Sequence, residues 1–182
     1  MLGPAPNRPL RPAPLSKSLF VGSGTAVLTM LNAHQFLGDG AYLTSKEAKD
    51  GGVRKQAELT LKRRLPSGAT ARYQLMDNGT RLTSAEWERV VAVFAQGATW
   101  QFKGWKREAP VDIFSRSLGV HLMYDDERPS KNVMAWNVRI LKISKSKRHL
   151  DKPVCLDFWR QLDEFVRVHN PSYAAELIAK FE

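Results

Sequence analysis

The first place to look for chemistry is Gly22-Ser23-Gly24, a glycine-rich turn between a short strand-like run and an apolar run at helical spacing. A nucleotide-binding fold places its phosphate loop at such a junction, where backbone N–H groups at a helix start hold anions. The sequence G-x-x-x-x-G-K-[ST] is absent, because no glycine in the chain is followed by lysine. Without that lysine nothing reaches the terminal phosphates, and no Lys-Ser or Lys-Thr pair at this turn can hold magnesium. The dinucleotide pattern fails as well, since Gly22-x-Gly24-x-x is followed by Val27. A structural turn is the preferred reading, with anion binding at a helix start left open.

Other reactive types are scattered. Asp125-Asp126-Glu127 is the densest carboxylate group, but it lacks the spaced ligands and the glycine of a calcium loop. His34, His121, His149 and His169 form no H-E-x-x-H and have no cysteine pair beside them. His34 and His121 read as core or boundary residues. There is no G-x-S-x-G elbow. Cys155 is the one cysteine, lies on an apolar stripe, and reads as a small buried hydrophobe. Asn78-Gly79-Thr80 matches a glycosylation sequon, yet the same residues suit a tight turn. No catalytic set emerges, and no cofactor is expected.

Trp100 to Arg107 is different. Two tryptophans, Phe102, Gln101, Lys103, Lys106 and Arg107 fall within eight residues. Rings stack on tryptophan while Lys and Arg meet phosphate, so this composition suits a recognition surface. Lys145, Lys147 and Arg148 make a second basic loop. The competing use of Trp100, Phe102 and Trp105 is core packing, and at least one of the three is expected to serve it.

The charge is concentrated. The 182 residues carry 28 Lys and Arg against 18 Asp and Glu, a net of +10. Residues 1–17 contribute +3, 54–64 +4, 100–107 +3 and 139–152 +5, which leaves the remainder at −5. Such stretches point to phosphate-bearing or acidic partners. Lys and Arg on strand edges also block aggregation, which is the rival reading for 54–64. A single cysteine excludes an internal disulfide framework. No apolar stretch is long enough for a transmembrane helix.

These residues need positioning. Five prolines in residues 1–15 predict an extended tail or linker, residues 1–17, ahead of one domain, 18–182. Strands are predicted at 17–21, 56–63, 70–76, 89–95, 119–124 and 136–144. Val27, Met30, Leu31, His34 and Leu37 predict a helix from about Thr25, capped by Ser23 or Thr25 and ended by Gly38. One helical turn is expected at 45–49. Thr83-Ser84-Ala85-Glu86 has the spacing of a capping box. Further helices are predicted at 110–118 and 153–168, the latter capped by Asp151, with a terminal helix at 172–181. Residues 125–131 read as a polar loop. Pro66-Ser67-Gly68 makes the second and third strands a hairpin. The result is an α/β three-layer sandwich with a mixed, mainly parallel sheet.

Three blocks carry a family resemblance. The first is Trp87-Glu88-Arg89-Val90-Val91-Ala92-Val93-Phe94, continuing to Trp100-Gln101-Phe102-Lys103-Gly104-Trp105. The second is Pro110-Val111-Asp112-Ile113-Phe114, and the third is Trp136-Asn137-Val138 with Lys147-Arg148-His149-Leu150-Asp151 and Phe158-Trp159. A weaker block is Leu28-Thr29-Met30 with Asn32 and Phe36-Leu37. In these the chain resembles the carboxy-terminal domain of the parafibromin, or Cell division control protein 73, family. The resemblance implies a Ras-like fold with a degenerate phosphate-loop position. It implies a non-enzymatic adaptor in RNA polymerase II transcription elongation, in the nucleus. The implied partners are subunits of the polymerase-associated factor complex and phosphorylated repeats of RNA polymerase II or elongation factors, by which the complex is recruited to chromatin. Trp100, Gln101, Lys103, Lys106, Arg107, Lys145, Lys147 and Arg148 are the expected partner-binding residues. Weak or direct nucleic-acid binding is the alternative, and a GTPase-like nucleotide-binding protein the remote one. Two departures stand out: Gly22-Ser23-Gly24 is richer in glycine than the family's usual turn, and family members are usually longer.

Overall fold

The computed structural model describes residues 16–171. The proline-rich tail and the terminal helix expected at 172–181 lie outside the described residues. Six strands make one sheet: β1 (Lys17–Phe20), β2 (Leu59–Arg64), β3 (Thr70–Met76), β4 (Val90–Phe94), β5 (Leu118–Tyr124) and β6 (Val138–Ile143). Their spatial order is β2-β3-β1-β4-β5-β6. Only β2 and β3 pair antiparallel; the other neighbours run parallel. The helices are α1 (Ala33–Asp39), α2 (Ser45–Asp50), α3 (Ser84–Trp87), α4 (Pro110–Arg116), α5 (Lys131–Ala135) and α6 (Asp151–His169).

Period-2 side chains give the sheet two apolar faces. Leu19 and Val21 point to one, where α1 and α6 supply Phe36, Leu37, Phe158 and Leu162. Phe20 points to the other, among Trp87, Phe102, Trp105, Ile113 and Phe114 from α3, α4 and the segment between β4 and α4. Burying each such large side chain contributes about 1.5–3 kcal/mol. β4 carries a bulge: Ser18 pairs with Val90 and Leu19 with Ala92, so Val91 is extra. Val91 and Ala92 therefore both face the first core while Val90 and Val93 face the second.

Several expected elements differ. The helix predicted from Thr25 begins only at Ala33. Its apolar spacing continues through Val27 and Met30, but Asn32 diverts the backbone. Its Oδ1 accepts from Thr29 N–H at 2.8 Å, and its Nδ2 donates to the carbonyls of Val27 and Leu43 at 2.9 and 2.8 Å. A side chain that bonds nearby backbone competes with the helix. The helix runs past Gly38 to Asp39, and Gly40, at φ 68°, closes it. His34 is exposed on α1 rather than packed in the core or at its boundary. α5 was not anticipated; it is five residues long, capped by the Ser130 hydroxyl, and held by Val133 alone among its buried residues. Asp151 does not cap α6. It is the helix's first residue, and its carboxylate turns toward Tyr42 and Arg148.

The expected hairpin, the capping box of Thr83 with Glu86, and the α6 stripe of Cys155, Phe158, Trp159, Leu162 and Val166 all appear, with Phe165 half-buried. Asn78 forms the tight turn, its Oδ1 accepting from Thr80 N–H and Oγ1. Burial pushes the Cys155 thiol above its ordinary range. Among the described residues no helix is long and apolar enough to cross a membrane.

Candidate functional site

Because β1, β4, β5 and β6 are parallel, the loops at their carboxyl ends share one rim. This is where open α/β sheets bind ligands. The loop after β1 holds the phosphate-loop position, and several of its backbone groups are already bonded within the protein. Gly22 N–H donates to the Leu28 carbonyl at 3.0 Å, and Ala26 N–H to the Ser23 carbonyl at 3.2 Å. The Gln96 side chain clasps Ser23, accepting from its N–H at 3.1 Å and donating to its carbonyl at 2.9 Å. A Cβ on Gly22 would stand 2.4 Å from the Ala26 Cβ, so the backbone closes in on itself there. With α1 delayed to Ala33, no helix start faces this loop. Beside it lies a cleft of about 330 Å³ whose lining includes Thr25, Gln96, Trp100, His121 and Arg128. His121 lies 2.7 Å by its Nδ1 from the Ala95 carbonyl, so that nitrogen is occupied.

The aromatic segment after β4 does not form one surface. Trp100 is 60% exposed and lines the cleft. Phe102 and Trp105 are buried in the second core, where Phe20 meets Trp105 at 4.6 Å between ring centroids. Gln101 is also buried: its Nε2 donates to the Phe94 carbonyl at 2.9 Å and its Oε1 accepts from Gln96 N–H at 2.8 Å. The expectation that Gln101 meets a partner is corrected by that burial; it braces the loop that carries Gln96. Lys103 is exposed. Lys106 reaches the Ser84 hydroxyl, and Arg107 pairs with Glu88 at 2.7 Å. Ser84 and Glu88 precede β4, so Lys106 and Arg107 lie toward the opposite end of the sheet from Trp100.

The loop after β6 does stand on the rim. Lys145 lies 2.9 Å from Asp126 and 5.0 Å from the centre of the Tyr124 ring. Its bond to Asp126 holds the ammonium above its ordinary range. Lys147 is exposed, with no ion pair among the described residues. Arg148 is tied down: it donates to the Tyr42 carbonyl at 3.3 Å, lies over the Tyr42 ring at 5.3 Å, and sits 3.4 Å from Asp151. Asp151 is 2% exposed and accepts from Tyr42 N–H at 3.1 Å.

Tyr42 joins the two loops. Its hydroxyl donates to the Val27 carbonyl at 2.9 Å and lies 3.1 Å from the Tyr124 hydroxyl. Burial, with that phenol neighbour second, raises its pKa far above the ordinary tyrosine value. Sequence reasoning missed Asn32, Tyr42, Gln96 and Asp151, all of which bond residues distant in the chain. The one signal available was a polar residue, Asn32, within an apolar helical spacing. Among the described residues no group of three or more His, Cys, Asp or Glu could hold a metal.

With that geometry in view, comparison with known proteins is decisive. A family model described as "RNA pol II accessory factor, Cdc73 family, C-terminal" matches residues 19–165. The chain belongs to the Cdc73 family. Cell division cycle protein 73 of Caenorhabditis elegans is 33% identical over 166 residues, 89% of this chain and 32% of that protein. The CDC73 homolog of Arabidopsis thaliana is 36% identical over 152 residues, 80% of this chain and 37% of that one. The chain thus spans about a third of the length of these relatives. The solved conserved domain of yeast Cdc73 superposes with a TM-score of 0.76 at 25% identity, covering 85% of this chain and 98% of that one. The Ras-like sandwich implied by the sequence blocks is therefore the fold, and the blocks quoted above fall wholly within the matched span.

Proposed function

We propose that this Cdc73-family domain is a non-enzymatic adaptor of RNA polymerase II transcription elongation in the nucleus. It helps recruit the polymerase-associated factor complex to chromatin by holding phosphorylated or acidic segments of partner proteins. The observation that carries this reading is the internally bonded phosphate-loop position. Gly22, Ser23 and Ala26 N–H already have acceptors, so three amides of the phosphate-loop position are committed within the protein rather than to a nucleotide. The rim does have side-chain cations and one exposed tryptophan, which suit a phosphorylated, proline-containing peptide. In this reading Trp100, Lys103, Lys145 and Lys147 contact the peptide and Arg148 holds the loop. Lys106 and Arg107 form a separate contact near α3.

The test is a titration followed by tryptophan fluorescence, with phosphorylated polymerase-tail repeats in one arm and GTP with magnesium in the other. The expected result is saturable binding of the phosphorylated repeats, weakened by Lys147→Glu, and no saturable response to GTP. Saturable GTP binding, or repeat binding indifferent to Lys147→Glu, would overturn the reading.

A further inference from the structure

The β2–β3 hairpin has two unlike faces. On one, Leu61, Ala71, Tyr73 and Leu75 are buried beneath α1 and α6. Arg63 points the same way and is fully paired, with Asp163 of α6 bidentate at 2.7 Å and the Trp159 ring 4.5 Å below. On the other face the second helical layer stops at Met76. Thr60, Lys62, Arg64, Thr70 and Arg72 are left exposed there, with Gln74 half-buried beside them. The register sets Lys62 directly opposite Arg72, and Arg64 opposite Thr70. None of the three cations has an ion-pair partner among the described residues. Glu58, at the far end, accepts from Gln74 Nε2 at 2.9 Å.

Protection of the sheet edge explains Lys62 and Arg64, because β2 is an edge strand. It does not explain Arg72, because β3 is interior, between β2 and β1. Like charges placed directly across a ladder destabilise it, so the Lys62–Arg72 pair works against the fold. The same strand shows the alternative: where a cation supports the fold, at Arg63, a carboxylate is supplied.

We infer that this bare hairpin face binds the phosphate backbone of double-stranded nucleic acid without reading its sequence. Side chains on one face of a strand repeat every two residues, roughly 6–7 Å, so Lys62 and Arg64 form a regular row with Arg72 beside it. A regularly charged polymer needs no more than such a row. The face carries no aromatic side chain on which the bases of a single strand would stack. It also offers no apolar anchor of the kind on which peptide interfaces rely. This surface is distinct from the rim proposed for protein segments.

The experiment uses the 182-residue chain and a labelled 30-base-pair DNA duplex, read by fluorescence anisotropy across a salt series. Lys62→Glu with Arg72→Glu should weaken binding on the order of tenfold or more and make the salt slope shallower by about two. Arg139→Glu with Lys142→Glu, on the other edge strand, makes the same charge change and should leave affinity within about twofold. Lys147→Glu, which tests the rim, should leave duplex binding intact. Arg72→Glu alone should not lower the melting temperature, since it removes the opposed like charges. Equal losses from the two double variants would reduce the effect to net charge and overturn the assignment. So would an absence of wild-type binding, or tighter binding of a single-stranded RNA of the same length. A phosphorylated repeat peptide bound more tightly than the duplex, and lost with the same two changes, would overturn it in favour of a peptide.

Discussion

The loops after β1 and β6 leave the sheet on the same rim and handle charge in opposite ways. Between Lys17 and Lys46 the chain has no Lys or Arg, while Lys142, Lys145, Lys147, Arg148 and Lys152 crowd the region around the β6 loop. The β1 loop has backbone groups bonded through Asn32 and the Leu28 carbonyl, and through Gln96 of the loop after β4. A nucleotide-binding relative would need the reverse, with free amides and a lysine after β1. In the proposed reading an anion is held by side chains of the second loop rather than by the backbone of the first. Backbone amides at a helix start hold one phosphate in one geometry; lysines on a loop tolerate many. The difference suits an adaptor better than a nucleotide switch.

The comparison breaks most severely at its internal supports. Asn32→Ala removes three hydrogen bonds: buried Thr29 N–H and the Leu43 carbonyl lose their partner, and the Val27 carbonyl keeps only the Tyr42 hydroxyl. It should destabilise the domain by about 3 kcal/mol or more in urea denaturation, with no gain of GTP binding. The β6 loop has the same kind of support in Arg148, and its neighbour Lys147 lacks it. Arg148→Glu places a second carboxylate against buried Asp151 and should cost about 3 kcal/mol. Lys147→Glu should leave stability within about 0.5 kcal/mol. Equal losses from the two would show that the loop is not anchored through Arg148.

That contrast also shows what was legible in the sequence. Patterns local to a few residues came through: the Thr83–Glu86 capping box, the hairpin turn at Pro66-Ser67-Gly68, the unalternating β4, and the α6 stripe. Side chains that act across the fold did not. Asn32 reaches Leu43, Gln96 reaches Ser23, and Asp151 reaches Tyr42. In none of the three does the local sequence indicate the distant partner. The aromatic cluster at 100–107 misled for the same reason. Its composition suits a surface, but β4 is buried on both faces, and Phe102 and Trp105 cover one of them. Of the aromatics only Trp100 is left to the rim, and Lys106 and Arg107 are carried away toward α3.

A smaller test concerns the clasp on the β1 loop. Gln96→Ala frees Ser23 N–H and should cost about 1–2 kcal/mol by thermal or urea unfolding, since the freed groups are only partly buried. It also unlocks one amide at the phosphate-loop position. If closure of that loop is what excludes nucleotide, a weak, saturable response to GTP should appear in this variant and not in the wild type. If none appears, the missing lysine is sufficient by itself.

The finest test is at the joint between the two loops. Burial and the Tyr124 phenol hold the Tyr42 hydroxyl protonated in the folded state at pH values where an unfolded tyrosine ionises. A raised folded pKa gives stability that is complete below the unfolded value, about 10, and is lost as pH rises beyond it. Unfolding followed by urea at increasing pH should therefore show a decline that begins near pH 10. Tyr42→Phe should be less stable at neutral pH, because the Val27 carbonyl loses one of its two donors, and should show a shallower alkaline decline. A decline of unchanged steepness would mean that Tyr42 does not carry it, and that the β1 and β6 loops are joined by Arg148 and Asp151 instead.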